Sequence, residues 1–191
     1  MDGRRSSIRA ARVGAALASI LVTGSVAAAG MVAAAPPTVV LDAGELPAGY
    51  SGYRTKVQSG EIAMVPSGDL STPCLNATAE AATATRGAVS QEAYAAREKS
   101  MLTIAVLSKP AAQQLGDLLD RCTTGDRDQR FTPVGVPADL ARLAPRLYWN
   151  SASGERIGYV TVRQSTVVVR AVGPSESFWE TLRKQIAKAD R

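Results

Sequence analysis

Met101-Leu102-Thr103-Ile104-Ala105-Val106-Leu107, followed at once by Ser108-Lys109-Pro110, is the stretch on which the fold turns. An apolar run of this length, bounded by turn residues, reads as a buried strand. Ser108 then reads as a helix cap, with Pro110 pre-set for the first turn. Ala111, Leu115, Leu118 and Cys122 follow at helical spacing, on one apolar stripe. That stripe turns Cys122 toward the core, where a second thiol can meet it.

Outward from this strand–helix unit, the C-terminal side reads as a meander. Pro133 to Pro145 is a connector with a short helical turn at 138–143. Arg146–Trp149 is a strand that ends in a turn at 150–154. In Ile157–Arg163, Ile157, Tyr159 and Thr161 alternate with Gly158, Val160 and Val162. A tight turn at Gln164-Ser165 returns the chain through Thr166–Val172. Pro174-Ser175 opens a last helix, in which Ser177 and Glu180 have the spacing of a capping box. Phe178, Leu182, Ile186 and Ala189 form its apolar stripe. On the N-terminal side, Ser67-Gly68-Asp69 is a turn, and Ser71-Thr72-Pro73 caps a short helix running through Cys74 to about Ala82. The stretch Ala79–Ser100 mixes alanines with Thr83, Thr85, Gly87 and Val89, and the reading favours a strand at Arg86–Gln91. Pro36, Pro37, Gly44, Pro47 and Gly49 mark an extended lead-in, with Thr38–Leu41 a short strand or docking segment. This order of elements predicts an α+β domain: an antiparallel sheet with helices packed on one face, stapled by one disulfide. The domain covers residues 35–191 and is globular from about residue 40.

The chain has 191 residues, 46% apolar and 20% charged, a composition for one globular domain. It contains no histidine. Ser-His-Asp and Cys-His relays and His-based zinc sites are therefore excluded. No metal or other cofactor is implied. Residues 1–34 read as a signal peptide: Arg4, Arg5, Arg9 and Arg12 form a basic head, and Val13–Ala35 is an apolar, alanine-rich run. Cleavage sites fit at Ala27-Ala28-Ala29 and at Val32-Ala33-Ala34; the second keeps Pro36 from directly following the cut. The alternative is an uncleaved membrane anchor, since the run is long enough to span a bilayer. The expected location is thus secreted or in the cell envelope. Residues 1–34 hold four arginines and one aspartate, so the net charge of +5 falls to +2 without them. The remaining cations are interspersed with acids rather than gathered in a basic stripe, which argues against nucleic acid as a partner. Contact with a membrane is expected only through an uncleaved signal segment.

Cys74 and Cys122 are the two cysteines. Outside the cytosol such a pair is most simply a structural disulfide. There is no Cys-x-x-Cys and no histidine to activate a thiolate.

Asp69-Leu70-Ser71-Thr72-Pro73-Cys74-Leu75, the apolar strand and helix ending at Cys122, Val167-Val168-Val169 and the terminal helix together resemble a known family. It is the extracellular sensor domain of the mycobacterial serine/threonine kinase PknH, with its exported actinobacterial relatives, and the likeness covers about residues 69–189. The resemblance implies an α+β sandwich with a central ligand cleft and no catalysis by the domain itself. The family's second disulfide has no cysteines here. No kinase domain accompanies these residues, so any signal is expected to pass to a separate partner.

The candidate site residues are aromatic and basic. Tyr148, Trp149, Tyr159 and Trp179 form either a stacking platform or core filling. Arg146, Arg163 and Arg170 are either cleft cations for an anionic ligand or solvated sheet residues. No Ser-x-x-Lys, nucleophile elbow or phosphate-binding glycine loop is present. The sequence predicts a non-catalytic envelope module that binds an unidentified ligand or protein partner in a cleft between sheet and helices. The alternatives are an interaction protein that docks a partner on a surface patch, and a hydrolase with paired carboxylates.

Overall fold

Leu107 stands at the covered end of its strand, and the sheet is organised around that strand's pairings. The computed structural model describes residues 39–60, 71–122 and 130–191. The segment read as a signal peptide, Pro36-Pro37, the Ser67-Gly68-Asp69 turn and Leu70 lie outside the described residues. In chain order the elements are β1 (Ser51–Gly60), α1 (Thr72–Thr85), β2 (Ala88–Arg97), β3 (Ser100–Leu107), α2 (Ala112–Arg121), β4 (Thr132–Pro133), β5 (Arg146–Asn150), β6 (Glu155–Val162), β7 (Ser165–Val172) and α3 (Ser175–Ala189). Short 3-10 helices stand at Ala43–Glu45 and Ala138–Leu143. Among the described residues the strands form one seven-stranded sheet, ordered β1-β2-β3-β7-β6-β5-β4. Every neighbouring pair is antiparallel. The α+β class and the single disulfide, Cys74–Cys122, are as expected.

The helices differ from expectation: they lie on both faces. Side chains alternate across a strand, and the register sorts them into two sets. Leu102, Ile104, Val106, Val167, Val169, Ala171, Val160 and Leu147 share one face, here face A. Phe178, Leu182 and Ile186 of α3 cover it, together with Val40, Leu41 and Leu140. Leu107, Ala105, Val168, Tyr159, Ile157 and Tyr148 share face B, beneath α1 and α2. The central strands are apolar on both sides, as in the Ile104–Leu107 and Val167–Val169 runs, so each face needs its own cover.

Several local details shift for the same tertiary reason. Ser108 does not cap α2. Its N–H donates to the Val89 carbonyl at 2.9 Å and its Oγ accepts from the Val89 N–H at 2.9 Å, extending the β2–β3 ladder. Thr166 of β7 does the capping work instead. Its Oγ1 accepts from the Ala111 N–H and donates to the Lys109 carbonyl, each at 2.7 Å. Helix α1 is longer than expected, because Thr85 folds its hydroxyl back onto the Ala81 carbonyl at 2.9 Å and so stays helical. Gly87, at φ +70°, then turns the chain into β2. Ser177 makes no capping box: α3 begins two residues earlier, and Ser177 is buried inside it. Strand β1 escapes sequence reading because an edge strand exposed along its length carries no apolar period.

The lead-in docks on face A as a strap rather than as a strand. The fully buried Gln185 of α3 accepts from the Leu41 N–H at 2.9 Å and donates to the Val39 carbonyl at 2.9 Å. Tyr53 donates its hydroxyl to the Leu41 carbonyl at 2.8 Å. Replacing Gln185 with leucine keeps the volume and leaves the buried Leu41 N–H unpaired, a cost of about 1–3 kcal/mol. The expected result is a lower thermal midpoint and faster amide exchange at Leu41. Unchanged exchange there means that Gln185 does not hold the strap.

Candidate functional site

Helices α1 and α2 are the starting point, because they cover only half of face B. Ala77 and Ala81 are fully buried in α1, and small residues of this kind let two helices approach closely. The disulfide joins the first turn of α1 to the residue that ends α2, with Cα atoms 4.5 Å apart. Beneath the pair, the space to the sheet is filled by Leu107, Tyr148, Ile157 and Tyr159.

The residues singled out from the sequence fall in five places. Tyr148 and Tyr159 are in the core, ring centroids 6.4 Å apart and edge to face. Burial holds the Tyr148 hydroxyl neutral, pushing its pKa up to about 12, and burial likewise raises that of Tyr159. Tyr148 donates to the Gly116 carbonyl at 2.9 Å, and Arg146 donates to the Tyr148 hydroxyl at 3.2 Å. Arg146 also pairs with Asp120, and with Asp117 at 3.3 Å, so it pins α2 to β5. A Cβ at Gly116 would stand 2.8 Å from the Arg146 side chain; the glycine is the space in which that arginine lies. Trp149 is on face A, partly exposed, with the Arg156 guanidinium 5.9 Å from its ring. Trp179 packs edge to face on Phe178 at 4.9 Å. Arg163 sits in the β6–β7 turn at φ +52° and binds Asp190 and the carbonyl of Arg191 at the end of α3. The structure therefore brings Arg146, Tyr148 and Tyr159 together, and does not bring Trp149, Trp179 or Arg163 to them.

Arg170 is the member that reaches the open half of face B. The register places Arg54, Tyr94, Thr103 and Arg170 directly beside one another across β1, β2, β3 and β7. Four adjacent strands at about 4.8 Å make a row roughly 14 Å long. Met101 and Val172 form the next row, with Met101 among the most exposed apolar side chains, at 52%. Two polar clusters hold this surface in shape. Glu155 binds Arg170 at 2.7 Å across β6 and β7. Glu92 receives the Tyr94 hydroxyl and lies 3.2 Å from Lys56, whose ammonium stands 5.3 Å from the Tyr94 ring centroid. Burial and then donation to Glu92 keep the Tyr94 phenol protonated, while its contacts with Tyr94 and Glu92 favour the charged form of Lys56. The surface offers hydroxyls, a guanidinium and a thioether.

An open groove of about 570 Å³ lies between α1 and α2, lined by Ala79, Glu80, Thr83, Ala84, Gln114 and Asp117. Arg121 neutralises both of its acids, at 3.2 and 3.7 Å. Among the described residues no three Cys, Asp or Glu side chains come together as metal ligands, and no helix is long and apolar enough to cross a membrane. Sequence reading did not find Tyr94, Thr103 or Met101. A hydroxyl and an arginine inside apolar strands, Thr103 and Arg170, were the available signal, but only the register makes them neighbours. No family model, curated protein or solved structure matches the chain.

Proposed function

We propose that this chain is a non-catalytic, exported module of the cell envelope that holds a ligand on the open half of face B, against the edge of the α1–α2 pair. The observation that carries the proposal is the row Tyr94–Thr103–Arg170 with Met101 and Val172 beside it, on central strands whose other face is packed under α3. A ligand with an acidic group for Arg170 and an apolar part for Met101 and Val172 fits this surface. The likeness to the PknH sensor domain supports a ligand-binding role without chemistry. Export is supported by the basic head, the alanine-rich run after it and the disulfide. Among the described residues the carboxyl groups with a clear shift, Glu45, Asp139 and Glu176, are all held more acidic by hydrogen bonds, whereas a carboxylic acid catalyst needs the opposite.

The test is a thermal-shift screen of envelope glycans, acidic lipid headgroups and peptides, followed by titration calorimetry of the hits. Arg170→Ala and Tyr94→Ala are each expected to weaken a hit at least tenfold. Gln114→Ala, in the groove between α1 and α2, is expected to leave it unchanged. The opposite pattern moves the site to the groove and ends the proposal.

A further inference from the structure

Strand β1 is one edge of the sheet and is ten residues long, whereas β4 at the other edge has two. From Ser51 to Ser59 every residue is exposed except the half-buried Tyr53. A long exposed edge presents a row of backbone N–H and C=O groups ready to pair with another strand. Its register with β2 shifts between Ser51 and Arg54, so the regular part runs from Arg54 to Gly60. In that part Arg54 and Lys56 project on face B, and Thr55 and Val57 on face A. Val57 is 68% exposed, the highest value among the large apolar side chains of the described residues. The strand contains no acidic residue. Glu92 answers Lys56, and among the described residues Arg54 has no acidic partner.

We propose that the β1 edge accepts an extended acidic segment of a partner protein as an added strand. The backbones pair along Arg54–Gly60, acidic side chains of the guest meet Arg54 and Lys56 on face B, and an apolar guest side chain covers Val57 on face A. Charge favours this occupant over a second copy of the chain, because another β1 has no acidic side chain to set against Arg54 and Lys56. Antiparallel self-pairing centred on Thr55 sets Arg54 opposite Lys56, and pairing centred on Lys56 sets that residue opposite itself. Like charges directly opposed across strands are unfavourable. The edge meets the ligand surface at Arg54 and Lys56, which stand beside Tyr94, but the guest strand is held by the β1 backbone, whereas the ligand surface depends on Tyr94, Thr103 and Arg170.

The experiment uses the full 191-residue chain and a fluorescent ten-residue peptide alternating glutamate with valine or threonine. Fluorescence anisotropy is expected to show saturable binding, at least tenfold weaker at 0.5 M salt than at 0.05 M. Arg54→Glu combined with Lys56→Glu should weaken it at least tenfold, and Arg170→Ala should leave it unchanged. The unmodified protein supplies the second measure. A peptide N-methylated at alternate residues on its edge-facing side should lose binding, and one methylated on the other alternate set should keep it. Four outcomes overturn the proposal: no binding at millimolar peptide, equal binding of a lysine-for-glutamate peptide, indifference to both methylation patterns, or a dimer in sedimentation that the charge-reversed variant abolishes. Loss of the peptide with retention of small ligands removes this inference alone, and the converse removes only the ligand surface.

Discussion

Replacing Cys74 and Cys122 together by alanine is expected to lower the unfolding free energy by about 4 kcal/mol. The disulfide closes a loop of 48 residues that contains most of α1, all of β2 and β3, and α2. In the chain-entropy account a loop of that length restricts the unfolded ensemble by about that amount. Both sulfurs are in the core, with Cys74 fully buried and Cys122 7% exposed. Alanine retains part of the side-chain volume there, so the measured loss reports mainly the cross-link. For a domain of this size the thermal midpoint should fall by roughly 10 °C. The denaturant slope should rise, because an unbridged chain exposes more surface on unfolding. A loss below about 1 kcal/mol with an unchanged slope contradicts this account. The open half of face B has its own supports in Glu155 and Glu92, so ligand binding at temperatures below the transition should survive.

Phe178→Ala is expected to cost about 3–5 kcal/mol, in the range for deleting a buried aromatic ring. Phe178 is 1% exposed in α3 and packs edge to face on Trp179. Its ring rests on β6 at Gly158, where a Cβ would stand 3.2 Å from the Phe178 Cζ and 3.1 Å from a Leu147 methyl. The glycine is the hollow that admits the ring, and nothing on β6 at that point can collapse into the space the ring leaves. The two positions are therefore coupled. Gly158→Ala crowds Leu147 and Phe178 in the native background and should be better tolerated once the ring is gone. A double-mutant cycle should return a coupling of about 0.5–3 kcal/mol. Additive effects would mean that α3 is not seated on Gly158.

Much of the architecture was legible before any coordinates. Met101–Leu107 is a strand because its apolar residues are continuous, and α2 and α3 are helices because Leu115, Leu118, Phe178, Leu182 and Ile186 recur at helical spacing. Their partner faces were not legible. Ser108 looks like a cap in any local reading, yet the β2–β3 register recruits it to the ladder and leaves the capping to Thr166, 55 residues after Ala111. Strand β1 has no apolar alternation because most of its surface meets solvent. Tyr148 and Tyr159 could face a ligand or fill a core; the seating of α2 on β5 and β6 decides for the core.

Local chemistry along the chain was enough to determine the α+β class, the pairing of Cys74 with Cys122 and the absence of any histidine-dependent reaction. Those follow from residue identity and short-range period alone. The distribution of helices over two faces, the row formed by Tyr94, Thr103 and Arg170, and the exposed β1 edge were decided only in three dimensions. Each depends on strand register and order, which arise from pairings between residues tens of positions apart, and no local pattern encodes such distances.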